Sequence, residues 1–177
     1  MLCWGRGSRA AGAVRAVKGW AWMSSNRVVL LPVDATNWLD VIQLKVAEDQ
    51  SHFVASNLFS LAQAKIFDRY VPLAIYGAAA PRVLVGFAMY GPHLPSELPW
   101  IDRLMIDARF QRRGWGRSAM LALMERIQRE RPGPMRISYE PENQAAEALY
   151  ASLGFVPTGE VLEGELVREW RPPASPA

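Results

Sequence analysis

The sequence of 177 residues contains one cysteine and two histidines, and both scarcities exclude kinds of site. A single cysteine, Cys3, cannot form an internal disulfide, and it leaves no thiol in the rest of the chain to act as a nucleophile. His52 and His93 stand alone, without the partner spacing of a metal site. We therefore interpret both as surface or loop residues and expect no metal.

Long apolar runs are also absent, although 50% of the residues are hydrophobic. No stretch is long enough to cross a bilayer, and no internal repeat is present. The length suits one domain with a single core. We expect a soluble, cytoplasmic protein with no membrane partner.

The first 22 residues lack acidic side chains but hold four of the 20 basic ones, which leaves 16 basic against 17 acidic residues in the rest of the chain. The net charge of +3 therefore comes from this segment, and a near-neutral domain does not favour a long polyanion. We expect no nucleic-acid partner.

The same segment shows neither helical nor strand periodicity. The sequence from Met23 onward resembles the beginning of a protein, and we expect the native chain to begin there. We expect residues 1–25 to be a disordered or mis-annotated extension, with an Arg-rich transit peptide as the alternative; a secretory signal would need a continuous apolar segment. The folded domain is expected over residues 26–171, and a flexible proline-rich tail over residues 172–177.

The most informative segment is Gln111-Arg112-Arg113-Gly114-Trp115-Gly116, which joins an apolar strand to a long amphipathic helix. The first amides of a helix lack internal acceptors, the helix dipole is positive there, and glycines let an anion approach the main chain. Amides 112–116 are expected to form an anion site, with Arg112, Arg113 and Arg117 adding charge. An ordinary basic loop at a helix start is the alternative.

A dinucleotide-binding fingerprint is a second interpretation, since Gly114, Gly116 and Ala119 have its spacing and Glu140 follows at a suitable distance for a ribose contact. Two features disfavour it. Residues 107–113 separate the strand from the first glycine, and the 37 residues after Glu140 are too few for the further strand-helix units that this fold needs.

Hydrophobic spacing predicts the remaining elements. A strand over 27–32 precedes a helix capped by Thr36 that carries Trp38, Val41, Ile42 and Val46 toward a core. Residues 51–59 are predicted as a loop with Asn57 as a turn former, before a helix that begins with a capping box at residues 60–63. Further strands are predicted at 73–76, 83–90, 100–106 and 135–139, and residues 91–99 are predicted to be an irregular proline-rich segment. A helix is predicted at 116–131, with Met120, Leu123, Met124 and Ile127 on its apolar face. Residues 155–160 and 163–170 are predicted to form a closing hairpin.

The segment 111–116 resembles the acetyl-CoA pyrophosphate motif of the GNAT N-acetyltransferase superfamily. A second stretch, residues 143–155 with Asn143, Tyr150 and a closing Leu-Gly-Phe, resembles the next helix of that superfamily. The similarity covers about residues 27–170, and residues 100–107 and 138–143 are most similar to the bacterial spermine/spermidine (diamine) acetyltransferase-like branch.

The resemblance implies an α/β (α+β) fold: a mixed, mostly antiparallel sheet of six to seven strands, with a splayed parallel pair and flanking helices. In that superfamily the pantetheine arm of acetyl-CoA lies in the splay, here beside Leu104, Met105 and Ile106. The pyrophosphate would meet Gln111, Arg112, Arg113, Gly114, Trp115, Gly116 and Arg117. Asn143 would contact the coenzyme as well, in addition to capping its helix.

The resemblance also implies acetyl transfer to an amine. Backbone amides near Met105 would polarise the thioester carbonyl, and Tyr150, which could otherwise be a core aromatic, would protonate the departing thiolate. Asp102 and Glu140 are the candidates for the general base, because they lie on the two strands that border the groove.

Acidic residues near the acceptor side suggest a polyamine or diamine substrate, although such residues are also common on solvated surfaces. They are Glu48, Asp49, Glu160, Glu163 and Glu165. The resemblance further implies a homodimer. An acetyl-CoA-dependent amine acetyltransferase is therefore the favoured hypothesis, and a non-catalytic acyl-CoA-binding or regulatory module on the same fold is the alternative.

Overall fold

The computed structural model describes residues 27–79 and 82–173, so the expected N-terminal extension and residues 174–177 of the expected tail lie outside it. The described part forms one seven-stranded sheet in the order β1-β2-β3-β4-β5-β7-β6. The strands are β1 (Val28–Pro32), β2 (Val71–Gly77), β3 (Leu84–His93), β4 (Leu98–Ile106), β5 (Met135–Tyr139), β6 (Val156–Leu162) and β7 (Glu165–Trp170). The helices are α1 (Trp38–Gln43), α2 (Asn57–Ile66), α3 (Trp115–Glu130) and α4 (Gln144–Ser152).

The sheet is antiparallel except for β4 and β5, which α3 connects as a crossover. This confirms the expected mixed sheet with one parallel pair. It also excludes the dinucleotide-binding interpretation, which requires a mainly parallel sheet.

Two apolar cores cover the two faces of the sheet. The larger one packs α3 and α4 on one face, and the four apolar residues predicted for α3 are all fully or almost fully buried in it. The smaller core packs α1 and α2 on the other face, against Phe87, Met89 and Met105. Because β3 is covered on both faces, residues 85–91 are buried without alternation.

The predicted start of the second helix is wrong. Ser56, and not Ser60, is the N-cap, since its hydroxyl accepts a hydrogen bond from the amide of Phe59 (3.2 Å). Asn57 is the first helical residue and not a turn former. It is buried, and its side-chain amide donates to the carbonyl of Val41 (2.8 Å), which ties α2 to α1.

The first helix is shorter than predicted. Its Val41 is fully buried, whereas Trp38 is 41% exposed and does not enter the core. Val46 lies beyond the end of α1 but still packs against the smaller core.

The prediction that residues 91–99 are irregular is also wrong, because β3 continues to His93 and β4 begins at Leu98. Pro92 lies opposite Pro99 in the register. Alternate pairs of an antiparallel ladder exchange no hydrogen bonds, so two prolines can face each other there without leaving a carbonyl unpaired.

The closing hairpin of β6 and β7 turns at Glu163 and Gly164, whose φ angles of 53° and 95° suit a tight two-residue turn. Within the described ranges, no helix has the length and apolar character required to cross a membrane.

Candidate active site

The site is a groove that opens where β4 and β5 separate. The two strands pair only through Trp100 with Arg136 and Ile101 with Ile137. Beyond that point β4 runs on to Ile106 and, among the described residues, has no partner on its β5 side. The groove has a volume of about 490 Å³ and reaches from this gap to the start of α3.

One end of the groove is formed by the turn before α3. Arg112 (φ 58°) and Gly114 (φ 79°) adopt left-handed conformations, and Gly114 precedes the first residue of the helix. Among the described residues, the amides of 112–117 find no hydrogen-bond acceptor. A Cβ atom at Gly116 would meet only Leu149 and Ile106, at 3.8 and 3.9 Å, so the main chain there is open to the groove. This arrangement can bind an anion through backbone amides.

Two side chains hold this turn in place. Gln111 donates to the carbonyl of Ile106 and to the side-chain oxygen of Gln50, both at 2.9 Å. Asp107 accepts hydrogen bonds from the amide of Lys45 (3.2 Å) and from the main chain and guanidinium of Arg109 (3.0 and 2.7 Å). Burial would raise the pKa of Asp107, but these hydrogen bonds outweigh it and hold the pKa below its usual value.

The side chains of the predicted phosphate motif do not all face the groove. Arg112 lines it, whereas Arg113 and Trp115 line a separate cavity at the other side of the turn. The guanidinium of Arg27 lies 4.8 Å from the ring of Trp115 there. Arg117 donates to the hydroxyl of Ser152 (2.7 Å). Of the four, only Arg112 therefore presents its side chain to the groove.

The wall opposite β4 carries Tyr150 of α4 and Glu140 at the end of β5. The Tyr150 ring packs edge-on against Tyr139, with centroids 5.8 Å apart, and against Phe155 at 6.1 Å. Its hydroxyl makes no hydrogen bond with another described residue. Burial, with smaller contributions from Glu165 and Tyr139, raises the pKa of Tyr150 well above its usual value, so the hydroxyl is a donor at neutral pH.

Asn143 also lines the groove, at the N-terminus of α4. Its side-chain oxygen accepts a hydrogen bond from the amide of Ala146 (3.0 Å), which is the capping contact that the sequence predicted. Its side-chain amide has no partner among the described residues and can still donate to a ligand.

The structure separates the predicted acidic residues into two groups. Asp102, Glu140 and Glu165 line the groove. Glu160 instead forms an ion pair with Arg136 (2.9 Å), and Glu163 lies in the exposed turn of the last hairpin. Glu48 and Asp49 belong to a short 3₁₀ turn just outside the groove wall.

Sequence reasoning missed both histidines. His93 belongs to β3, and its Nε2 lies 2.6 Å from a carboxylate oxygen of Asp102. His52 lines the groove together with Phe53, in the segment that was predicted only as a connecting loop. Within the described residues, no group of three or more His, Cys, Asp or Glu side chains could hold a metal.

Comparisons with known proteins agree with this geometry. The family model described as Acetyltransferase (GNAT) family matches residues 38–155. The spermine/spermidine N(1)-acetyltransferase of Bacillus subtilis (strain 168) is 31% identical, over 72% of this chain and 87% of that protein.

Solved structures share the fold. A domain from Methanocaldococcus jannaschii DSM 2661 has a TM-score of 0.67 at 14% identity, over 82% of this chain and 98% of that one. The spermidine N-acetyltransferase from Vibrio cholerae, in complex with CoA and spermine, has a TM-score of 0.61 at 17% identity, over 81% of this chain and 93% of that one.

Proposed function

Because this chain belongs to the acetyltransferase (GNAT) family and is an N-acetyltransferase, we propose that it transfers an acetyl group from acetyl-CoA to a primary amine of a polyamine or diamine. The transfer would be direct, in a ternary complex. The observation that carries the proposal is the gap between β4 and β5, which ends at a set of unpaired amides at the start of α3.

The residues around the gap fit the coenzyme. The amides of 112–117 and the side chain of Arg112 would bind the pyrophosphate. The free edge of β4 at Leu104, Met105 and Ile106 would hydrogen-bond the pantetheine arm. Asn143 would contribute its side-chain amide. Arg113, Trp115 and Arg117 would act through their main chain and, for the arginines, through their charge.

When bound, acetyl-CoA supplies a thioester whose carbonyl carbon can receive the amine nitrogen. Amides near Met105 would donate to the carbonyl oxygen, and Tyr150 would give its proton to the departing sulfur. An alkylammonium loses two protons in the reaction; the balance requires that the sulfur gains one and solvent takes the other. Because Tyr150 stays protonated at neutral pH, it cannot also be the base.

The groove carboxylates support a cationic acceptor. Glu140 has no side-chain partner among the described residues, and Glu165 accepts a hydrogen bond from the hydroxyl of Ser138. The relative from Bacillus subtilis is named for spermine and spermidine, and the Vibrio cholerae structure contains spermine. We therefore limit the polyamine-binding proposal to Glu140 and Glu165 and no longer include Glu48, Asp49, Glu160 and Glu163.

The decisive experiment follows thiol release from acetyl-CoA in the presence of different amines. These are spermine, spermidine, 1,4-diaminobutane and a monoamine with the same chain length as 1,4-diaminobutane. We expect turnover with the polyamines and a lower KM than for the monoamine. Tyr150→Phe should lower kcat by roughly 100-fold while the coenzyme Kd, measured by calorimetry, stays unchanged. Coenzyme binding without thiol release for any amine would instead support the non-catalytic module.

Glu165 and Glu163 form a matched pair for the substrate proposal, because they lie two residues apart on the same hairpin but only Glu165 lines the groove. Glu165→Gln should raise the KM for spermidine by roughly tenfold, which corresponds to one lost charge contact. Glu163→Gln should leave the KM unchanged. Equal effects of the two substitutions would mean that the hairpin attracts the substrate only through its overall charge.

A further inference from the structure

Asp102, which lines the groove, forms a fixed pair with His93 of β3. The Nε2 atom of His93 lies 2.6 Å from Oδ1 of Asp102. The imidazole also stacks on the indole of Trp100, with ring centroids 4.4 Å apart and an angle of 8° between the planes. The ring is therefore held both by a hydrogen bond at one edge and by an aromatic face.

Asp102 owes its position to an irregularity in the sheet. In the register of β3 with β4, Met89 lies opposite Arg103 and Tyr90 opposite Ile101, so Asp102 is the extra residue of a β-bulge. Bulges redirect side chains and are frequent next to active sites. This bulge follows directly on the last pair between β4 and β5.

The carboxylate of Asp102 is buried and not neutralised by an arginine. Its side chain is 9% exposed, and Oδ2 is buried without a hydrogen-bond partner among the described residues. The neighbouring Arg103 donates to the main-chain oxygen of Asp102 (2.6 Å) and not to its carboxylate. Arg136, which lies over Trp100, is paired with Glu169 and Glu160.

These contacts indicate which of the two residues, His93 or Asp102, takes up a proton from the acceptor amine. Both carboxylate oxygens of Asp102 are shielded, one by His93 and one by burial, so an amine in the groove has no free oxygen to reach. The imidazole is more open, at 28% exposure. An ionised carboxylate only accepts hydrogen bonds, so in the tautomer of His93 that donates from Nε2 to Asp102 the Nδ1 atom has a free lone pair.

We propose that His93 accepts the proton of the acceptor ammonium at Nδ1, through a water, and that Asp102 is the positioning residue that fixes its tautomer and balances its charge. The inference rests on the proposed function. One N–H bond of the ammonium breaks and one N–H bond forms on the ring; the imidazolium then returns the proton to solvent. The buried negative charge of Asp102 stabilises the imidazolium.

His93→Gln is the primary test, because a glutamine amide can replace the donor to Asp102 but cannot take up a proton. We expect kcat to fall by roughly 100-fold, with unchanged affinity for acetyl-CoA by calorimetry. Leu94→Ala is the control in the same hairpin, since Leu94 is 68% exposed, and it should retain wild-type kcat. Wild-type kcat in His93→Gln would overturn the proposal.

A second measurement separates proton transfer from a structural role. His93→Ala removes the ring, and added imidazole should restore turnover by at least roughly tenfold, while it leaves Tyr150→Phe unaffected. Asp102→Asn should lose activity by itself but add little to His93→Gln, because the two residues act as one unit. No response to imidazole together with additive losses would show that the pair only stabilises the hairpin. Absence of turnover in the wild-type protein would refute the proposed function itself.

Discussion

The side chain of Tyr150 lines the groove and is nevertheless almost fully buried. Its ring packs between Tyr139 and Phe155, and its pKa is raised mainly because burial disfavours the phenolate. This burial extends the pH range over which the hydroxyl stays protonated, and it also makes the folded protein sensitive to alkali.

We predict that Tyr150 lowers the stability of the protein at high pH. In the unfolded chain its pKa is near 10, whereas in the folded protein it is higher, so above pH 10 the unfolded state releases a proton that the folded state keeps. The free energy of unfolding then falls as the pH rises, by roughly 1 kcal/mol at pH 11 for this group.

Urea unfolding at pH 8 and pH 11 would measure this effect, with Tyr150→Phe for comparison. The substituted protein should lose less stability between the two pH values, by the same amount of roughly 1 kcal/mol. Tyr90, whose pKa is also raised, is present in both proteins and cancels. Equal losses in the two proteins would mean that the hydroxyl of Tyr150 ionises freely in the folded state.

At the scale of single residues, sequence reasoning succeeded where a residue type has a local role. Asn143 caps α4 as predicted, because capping depends on residues three positions apart. The pair of His93 and Asp102 could not be predicted, because it depends on the hairpin register between residues 93 and 102 and on a bulge that no local pattern reveals.

At the scale of elements, the N-terminus of α3 combines unpaired amides with an open main chain at Gly116. A Cβ there would be in ordinary contact with Leu149 and Ile106, so small side chains fit without strain. Packing therefore does not require a glycine at this position, and the open main chain leaves room for a ligand.

We predict that Gly116→Asp abolishes coenzyme binding without unfolding the protein. A carboxylate in the first turn of a helix interacts favourably with the helix dipole, by about 0.3–1 kcal/mol, but it repels a phosphate. Gly116→Ala adds a methyl group without charge and should weaken binding by less than roughly tenfold. Calorimetry with coenzyme A gives the affinities, and thermal unfolding gives the stability.

The alternative interpretation, in which the turn is an ordinary basic loop, predicts other results for both substitutions. If the turn were an ordinary basic loop, neither would change the affinity for coenzyme A. If both abolished binding and lowered the melting temperature alike, the side-chain volume and not the charge would be responsible.

Elements with strong periodicity were predicted well from the sequence. The apolar face of α3 and the strand β5 are in place, because buried residues at a regular period define them. The start of α2 was missed because Ser56 and Ser60 offer two similar caps, and the choice between them depends on the contact of Asn57 with Val41 in α1.

At the scale of the whole molecule, β1 to β4 form one half of the sheet and β5 to β7 the other. The halves pair through only two residues of each strand, and α3 connects them along the chain. The mixed sheet with one parallel pair followed from the resemblance to a known family. The short register between β4 and β5 does not follow from hydrophobic pattern, because apolar residues continue beyond it in both strands, at Leu104 to Ile106 in β4 and at Tyr139 in β5.

This division leads to a prediction about stability. A coenzyme bound along the free edge of β4 and at the start of α3 would bind the folded state only, so it should stabilise the whole domain and not just the loop. At a coenzyme concentration of 100 times Kd, the free energy of unfolding should rise by about 2.7 kcal/mol, and the melting temperature by roughly 5–10 °C.

Hydrogen exchange would locate the effect. Amides of residues 102–106 and 112–117, which lie at the free edge of β4 and in the turn, should gain the most protection, and strands of both halves should exchange more slowly through the rise in global stability. Gly116→Asp is the control and should show neither change. Protection confined to residues 112–117, with an unchanged melting temperature, would mean that the coenzyme binds the turn without bridging the gap between β4 and β5.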